Sequence, residues 1–425
     1  MKSTLLALFL FFLINPYCKA QYQPQGPYFI KTLADSSFLG RGYAFRGDLK
    51  AADWIEDYFN GLRLSPLGNG YRHPFSFSVN TFPKKMSLKI NGQTLKPGLD
   101  YIIYLSSPST NGLYRIISDF NDTIHTKPSY LTKNGYSGSI LLTTNSTITA
   151  PPKGVNGIFW LINPTDPLIW RVSDGIYVNK WISGKMFSNL ISPSDTSAEL
   201  TIDSEFLKDL QAVNIAGYIP GKTNPEKLVL ITAHYDHLGM MGRKTIYPGG
   251  NDNASGVAMM LDLATYFSKN ENRLPFSIGF TAFSAEEMHL LGSTAFSKNL
   301  PWKASDINLV LNLDMLSTGS DGIMAVNGKD YPNIIDDLTQ INLEGNYLKQ
   351  IKIRPNAANS DHYPFSTLGI PAIFFYSMGD EYKFYHTPKD TYNVPLTKYV
   401  EIFNLLRDFI ITCGAKNYTQ QPIPD

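Results

Sequence analysis

Short apolar runs alternate with helical patterns in the second half of the chain. Four runs are continuous enough in apolar residues to be buried strands: LVLITA (228–233), FSIGFTAFS (276–284), NLVLNLDM (308–315) and AIFFYS (372–377). Segments with apolar residues at helical spacing separate them, such as SGVAMMLDLATYFSK (255–269). Buried strands that alternate with helices predict an α/β domain with a mixed, mostly parallel sheet sandwiched by helices.

The first half of the chain has a different pattern. An amphipathic helix is predicted for GDLKAADWIEDYFNGLR (47–63), where apolar residues recur at helical spacing. Residues 106–200 are richer in Ser, Thr, Asn and Pro, and their strand-like runs are short. Strand signals without long helices predict a small β-rich domain inserted into the main one.

The N-terminus has the features of a secretory signal peptide. Lys2 precedes an apolar stretch from Leu5 to Ile14, and Cys18 and Ala20 occupy the −3 and −1 positions of a cleavage site. The apolar stretch is well short of the roughly 20 residues that a membrane span requires. We therefore expect cleavage after Ala20, export to the periplasm or the extracellular space, and no stable membrane span.

These patterns divide the chain of 425 residues into four segments. They are a signal peptide (1–20), the N-terminal part of a catalytic domain (21–105), the β-rich insert (106–200) and the remainder of the catalytic domain (201–425). Cys413 is the only cysteine after the signal peptide, so no disulfide can form within the mature chain. The formal net charge of +1 favours neither a nucleic-acid partner nor an acidic lipid surface.

Residue types that bind metals follow the predicted strands. Ligands of such sheets bind beyond the carboxyl ends of the strands, so these side chains are expected to converge at one edge. Two histidines and three carboxylates suit a pair of zinc ions that share one bridging carboxylate. The five residues are His234, Asp252, Glu287, Asp314 and His386.

Each of these residues, taken alone, also has an ordinary structural explanation. An Asp before a helix is a common N-cap, and a loop histidine is usually a surface residue. Two further carboxylates, Asp236 and Glu286, lie beside these residues in the sequence and favour a metal site over the structural explanations. His234 and Asp236 lie on the same side of an extended segment, so the Asp236 carboxylate can accept the second imidazole N–H. Glu286 and Glu287 point in different directions, so one can bind metal while the other holds the attacking water.

The order of the motifs resembles that of the co-catalytic di-zinc metallopeptidases of the aminopeptidase Y and aminopeptidase S type (clan MH). The motifs are HYD, NDNASG, EE, LD, SDHYPF (360–365) and YHTPKDT, and the resemblance covers about 205–412. Residues 27–75 resemble the start of the same domain. Residues 106–200 resemble, more weakly, the protease-associated domain that is often inserted in these enzymes.

The resemblance implies a role for each residue. One zinc would be held by Asp252, Glu287 and His386, and the other by His234, Asp252 and Asp314. The remaining roles fall to residues beside the ligands, with His237 and His362 expected near the site without binding metal. Asp236 would orient His234, Glu286 would be the general base for a metal-bridging water, and Tyr385 would donate a hydrogen bond to the oxyanion.

Two further features of the family concern the backbone. The family tends to have a cis peptide after the bridging aspartate, which here is the bond between Asp252 and Asn253. It usually has a glycine two residues after the second glutamate, whereas this chain has His289. This departure removes no ligand, but a bulky side chain there is expected to reshape the pocket.

Three functions fit these observations. The first is an exported aminopeptidase, a monomer that acts on peptide substrates with free N-termini; the segment after His386 is too short for the helical dimerisation domain of glutamate carboxypeptidases. The second is a glutaminyl cyclase, a transferase of similar fold that usually uses one zinc. The third is a non-catalytic relative that binds peptides. The insert and the NDNASG motif favour the peptidase over the cyclase, and the presence of all five ligands and Glu286 argues against the third.

Overall fold

The computed structural model of the protein describes residues 22–118 and 138–418. The predicted signal peptide (1–20) lies outside these residues. Among the helices of the described ranges, none has both the length and the apolar character needed to cross a membrane.

The α-helices form where apolar residues recur every three to four positions. The predicted helix at 47–63 is confirmed as α2, whose side chains Ala51, Ile55 and Phe59 share one buried face. In chain order, the α-helices of the described residues are α1 (Gly26–Leu33), α2 (Gly47–Gly61), α3 (Gly256–Phe267), α4 (Leu291–Lys298), α5 (Pro332–Gly345), α6 (Tyr363–Ser366) and α7 (Tyr399–Cys413).

The strands build two large sheets and one hairpin. In chain order, the described strands are β1 (Ser65–Pro66), β2 (Arg72–Thr81), β3 (Met86–Ile90), β4 (Gln93–Leu95), β5 (Tyr101–Ile103), β6 (Thr110–Ser118), β7 (Ser139–Thr143), β8 (Gly157–Ile162), β9 (Ile182–Phe187), β10 (Ser197–Ile202), β11 (Glu205–Ile219), β12 (Asn224–His234), β13 (Gly239–Met241), β14 (Thr245–Tyr247), β15 (Phe276–Phe283), β16 (Ile307–Leu313), β17 (Gly322–Val326), β18 (Ile351–Arg354) and β19 (Ala372–Met378).

The larger sheet has nine strands. Its order is β1-β11-β15-β12-β16-β19-β17-β18, and β2 also pairs with β11. The four central strands β15, β12, β16 and β19 are parallel, and antiparallel pairs flank them. These four strands contain the four apolar runs that predicted the sheet, so the mixed α/β fold is confirmed, with parallel strands at the centre of the sheet and as many antiparallel pairs as parallel ones in the whole sheet.

Helices cover both faces of this sheet, because side chains alternate along each strand. Along β12, Val229 and Ile231 belong to one apolar cluster with α1, α2, α3, α5 and α7. Leu228 and Leu230 point to the opposite face, where α4 and α6 contribute Phe296 and Phe365. The strands are therefore buried on both faces, which is why they have continuous apolar runs rather than alternating ones.

The smaller sheet has eight strands in the order β4-β3-β10-β6-β7-β8-β9-β5. It includes β3, β4 and β5, which precede the predicted start of the insert at residue 106. The composition changes near 106, but the pairing of β3 with β10 joins residues more than a hundred positions apart and leaves no local signal. The division of the chain into domains at 105 and 200 stays a prediction.

A continuous apolar core joins the two sheets. Ile103 lies in the smaller sheet, and Trp170 lies in one of its loops. Both pack in one cluster with Phe82, Tyr247 and Met288, which lie outside the smaller sheet. The smaller sheet is therefore anchored beside the loops at the carboxyl ends of the central strands.

The central strand β16 provides a test of this packing. Leu311 is 0% exposed, so we expect Leu311→Ala to lower the free energy of unfolding by about 2–5 kcal/mol, measured by urea denaturation. Leu343→Ala is the control, because Leu343 is 68% exposed on α5 and its loss should change stability by no more than about 0.5 kcal/mol. Equal effects in the two variants would contradict the placement of β16 in the core.

Candidate metal centre

The residues selected from the sequence meet at one edge of the larger sheet. His234 is the last residue of β12, and Asp314 directly follows β16. Glu286 and Glu287 follow β15, and His386 lies in the loop after β19. The turn before α3 supplies the remaining carboxylate. The predicted convergence at the carboxyl ends of the strands is therefore present in the structure.

A first cluster consists of His234, Asp252 and Asp314, all buried. The His234 Nε2 atom lies 3.5 Å from Asp252 Oδ1 and 3.5 Å from Asp314 Oδ1. The other oxygen of Asp314 accepts a hydrogen bond of 2.8 Å from the Ser360 hydroxyl. Three ligand atoms thus face one small volume.

A second cluster shares Asp252 with the first and adds Glu287, His386 and His237. The His386 Nε2 atom lies 3.0 Å from Asp252 Oδ2 and 3.2 Å from Glu287 Oε2. The two oxygens of Asp252 therefore face different clusters, as a bridging carboxylate requires. His237 lies at the site as expected, with Nδ1 2.8 Å from Glu287 Oε1; that it does not bind metal stays a prediction.

The contact between Asp236 and His234 differs from the expected one. His234 Nδ1 lies 3.1 Å from the backbone oxygen of Asp236 and 3.7 Å from its carboxylate, which is beyond hydrogen-bond range. The carboxylate instead accepts from the backbone N–H groups of Glu286 at 3.1 Å and Glu287 at 3.4 Å. The Tyr43 hydroxyl also donates to it at 2.7 Å. Asp236 thus fixes the segment that carries both glutamates.

The smaller sheet and its loops hold the second histidine. The carbonyl oxygen of Trp170 lies 2.8 Å from His386 Nδ1, and the Trp170 N–H donates to the His386 carbonyl at 3.2 Å. The Trp170 indole donates to the Ile103 carbonyl at 2.8 Å, so its own position is fixed. This acceptor holds the proton on Nδ1, so Nε2, which faces the carboxylates, is the nitrogen that a metal ion would use. No pattern along the chain predicts this contact.

A buried arginine from the N-terminal segment holds the backbone of the site. The Arg41 side chain is 0% exposed and donates to the carbonyls of Tyr235 at 2.7 Å, Gly249 at 2.7 Å and Asp252 at 3.2 Å. Burial lowers the pKa of Arg41 to about 10, so the guanidinium stays charged at neutral pH. Its five-donor fork joins the segments that follow β12 and precede α3.

Asp390, in the YHTPKDT motif, holds the same turn from the other side. Its carboxylate accepts from the backbone N–H groups of Asn251 at 2.8 Å and Asp252 at 3.1 Å. The YHTPKDT motif contains Asp390, but the spacing of the motif alone does not predict this contact. The bridging carboxylate is therefore fixed through its backbone on both sides.

Unusual backbone conformations concentrate at the site. Asp252 and Asn253 are joined by a cis peptide bond, so this prediction is confirmed. Ala285, Met315 and His386 have φ of 57°, 57° and 55°, a region that non-glycine residues rarely adopt and that marks functional sites. His289 has φ of 63°, a backbone conformation that glycine adopts without strain.

The charges of the clusters raise the proton affinity of their histidines. Burial by itself lowers the pKa of His234, but the carboxylates of Glu286 and Asp314 outweigh it and raise that pKa well above its ordinary value. His386 behaves in the same way, since Glu287 and Asp252 outweigh its burial. Both histidines thus lie in a strongly negative environment.

The pKa values of the two adjacent glutamates shift in opposite directions. Burial raises the pKa of Glu286 well above its ordinary value, and the Asp361 carboxyl adds to this effect while His234 opposes it. For Glu287, burial is outweighed by His386 and His237, which hold its pKa well below its usual range. Glu286 is therefore the carboxylate that more readily takes up a proton.

The donor set fits a pair of metal ions. The buried Asp314 Oδ1 atom has no hydrogen-bond partner among the described residues, and an unpaired buried carboxylate oxygen is costly. Three carboxylates and three histidines form two groups that share Asp252, and within each group the ligand atoms lie within 4.8 Å of one another. Imidazole nitrogens and carboxylate oxygens are zinc ligands, and positive ions would offset the excess of negative charge.

Two cavities open on the clusters. The larger has a volume of about 490 Å³ and is lined by His234, Asp314 and Arg354, among others. The smaller has a volume of about 280 Å³ and is lined in part by His289. Glu286, Tyr385 and His386 line both cavities, so a ligand in either one would meet the same chemistry.

Comparison with known proteins gives a family match and several relatives. Residues 214–410 match the model of peptidase family M28. Aminopeptidase YwaD from Bacillus subtilis (strain 168) is 30% identical over 207 residues, which cover 45% of this chain and 42% of that protein. Leucine aminopeptidase 1 from Ajellomyces capsulatus (strain H88) is 31% identical over 195 residues, which cover 42% of this chain and 49% of that protein. The matched region thus spans about half the length of these curated relatives.

A solved structure resembles nearly the whole chain. BSAP, a zinc aminopeptidase from Bacillus subtilis, matches with a TM-score of 0.67 and 18% identity over 94% of this chain and 96% of that chain. At this identity the likeness establishes the fold alone.

The shared carboxylate provides a test of the metal set. We expect Asp252→Asn to lose both metal ions, since one oxygen of Asp252 faces each cluster, and the metal content of the purified protein measures this. Asp262→Asn is the control, because Asp262 is also fully buried but bonds to Tyr22 and Tyr399 instead. An Asp252→Asn protein that retains two ions per chain would exclude the bridge.

Proposed function

We propose, because residues 214–410 match the model of peptidase family M28, that the chain is a zinc aminopeptidase that removes residues from the free N-terminus of peptides. The observation that carries this proposal is the pair of buried clusters that share Asp252, with Glu286 beside them. The names of the relatives support aminopeptidase activity over other reactions of the fold.

The five residues selected from the sequence would hold the metals. His234, Asp252 and Asp314 would hold one zinc, and Asp252, Glu287 and His386 the other. Zinc bound there would polarise the scissile carbonyl and lower the pKa of water at the site. Trp170 and Asp236 would keep the ligands in position through the hydrogen bonds already described.

Glu286 would act as the general base. Its carboxylate lies 3.9 Å from His234 Nε2 and faces both cavities, so it can reach a water that attacks a carbonyl there. Burial favours its protonated form, so it would retain the proton long enough to pass it to the leaving amine.

Tyr385 would stabilise the charge that develops on the substrate oxygen. Its ring stacks on His386 with centroids 3.8 Å apart, and it lines both cavities. A phenol donor beside the histidine cluster is suited to hydrogen-bond an oxyanion that forms at the scissile carbonyl.

The negative charge of the site would select the free amine of the substrate. The carboxylates around Asp252 attract a protonated N-terminus, whereas an acetylated N-terminus carries no charge to attract. We also propose export after cleavage at Ala20, from the N-terminal pattern, and action as a monomer.

The role of Glu286 is tested by removing its charge alone. Glu286→Gln should keep both metal ions and lower kcat on a leucyl peptide by about 10²–10⁴-fold, the range for loss of a general base. Glu271→Gln, an exposed glutamate outside the site, should leave kcat unchanged. A Glu286→Gln enzyme with full metal content and near-normal kcat would remove Glu286 from this role.

A further inference from the structure

A large cavity, lined by none of the residues of the metal centre, is strongly basic. It has a volume of about 860 Å³. We call it the basic groove and define it by its five exposed cationic side chains: Lys84, Lys85, Lys96, Arg243 and Lys244. One acidic residue, Asp203, also lines it.

The described part of the chain leaves most of the groove's positive charge without an ion-pair partner. None of its five cations forms an ion pair with a carboxylate among the described residues, and Asp203 accepts from the backbone N–H of Lys85 at 3.1 Å. The whole chain is nearly balanced, with 37 Lys and Arg against 36 Asp and Glu. The groove therefore concentrates positive charge, although the chain as a whole is almost neutral. An anionic ligand would relieve the repulsion among these side chains.

The walls of the groove favour an extended peptide as this ligand. Thr94 and Leu95 belong to β4, an edge strand of the smaller sheet that, among the described strands, pairs with β3 alone. The backbone of an edge strand can pair with an added strand from a peptide. Met86 and Leu99 also line the groove, so alternate side chains of such a peptide would meet apolar surface and cations.

Structural connections join the groove to the metal centre. The hairpin β13–β14, which supplies Arg243 to the groove, lies in the chain between His234 and Asp252. Tyr247 at its end packs on Trp170 with ring centroids 4.7 Å apart, and the Trp170 carbonyl contacts His386. The hairpin and Trp170 would thus connect a peptide in the groove to His386 of the metal centre.

We propose that the basic groove is a second binding site for an acidic segment of a peptide substrate. This inference rests on the proposed function for the identity of the ligand as a substrate. Binding to the groove would favour peptides that carry Glu or Asp alternating with apolar residues beyond the N-terminal residue that is removed.

The binding experiment uses the zinc-loaded chain and a fluorescent acetyl-(Glu-Leu)₃-amide peptide, whose blocked N-terminus prevents its turnover. In fluorescence anisotropy at low salt, we expect at least tenfold tighter binding than for the same peptide with Gln for Glu, and weaker binding as salt rises. A groove variant, with Lys84, Lys96, Arg243 and Lys244 changed to Gln, should lose this tenfold preference. Its matched control changes four exposed lysines elsewhere to Gln and should keep it: Lys153, Lys208, Lys222 and Lys298.

Two results would overturn the proposal. One is equal binding of the Glu and Gln peptides, or equal affinity of the groove variant and its control. The other is binding of phosphatidylglycerol vesicles, lost in the groove variant, without binding of the acidic peptide, because the groove would then serve a lipid surface.

A kinetic measurement separates this proposal from the proposed function. Hydrolysis of a leucyl amide, which is too small to reach the groove, should be the same in the groove variant and the wild type. A peptide with a free N-terminal Leu and an acidic tail should show a KM raised at least fivefold in the variant, with kcat unchanged. If the wild type cleaves neither substrate but still binds the acetylated peptide through the groove, the peptidase proposal fails and the groove remains a peptide site.

Discussion

The structure depends on the burial of three carboxylates where the parallel strands of the larger sheet end. Each buried ion loses hydration worth several kcal/mol. Asp252, Glu287 and Asp314 face histidines whose pKa values are raised, and one oxygen of Asp314 has no partner among the described residues. Such an arrangement is favourable when cations occupy it. The metals are therefore expected to contribute to the stability of this edge as well as to its chemistry.

Three parts of the fold build this edge of the sheet. The parallel strands β15, β12 and β16 bring their carboxyl ends together, and α3 covers one face behind the bridging turn. The N-terminal segment adds Arg41 and Tyr43, which bond to the backbone and carboxylate around the centre. The smaller sheet adds Trp170, which holds His386. The region that resembled an accessory domain thus contacts a residue of the centre directly.

Local patterns in the sequence predict the central strands and the convergence of the five candidate metal ligands. Continuous apolar runs identify strands buried on both faces, and the ends of parallel strands meet by geometry. The contacts of Arg41 and Trp170 could not be predicted in this way. Each joins segments about 200 positions apart, and each acts on backbone atoms, which carry no sequence signal.

The contact between His234 and Asp236 differs from the one that their spacing predicts. The spacing of His234 and Asp236 predicted a contact through the carboxylate, but the backbone turns so that the carbonyl oxygen is nearer to the imidazole. The carboxylate instead binds the N–H groups of Glu286 and Glu287. Alternation of side chains describes an extended strand, and β12 ends at His234.

The most direct test of the account is the mass of the products formed from matched peptides. The 21–425 protein, loaded with zinc, would be incubated with peptides that have free or acetylated N-termini, including one set that begins with Gln. Stepwise loss of single residues from the free peptides alone is the predicted result. Loss of ammonia from the Gln peptides alone, as in a glutaminyl cyclase, or no change in any peptide with both metals bound, would contradict it.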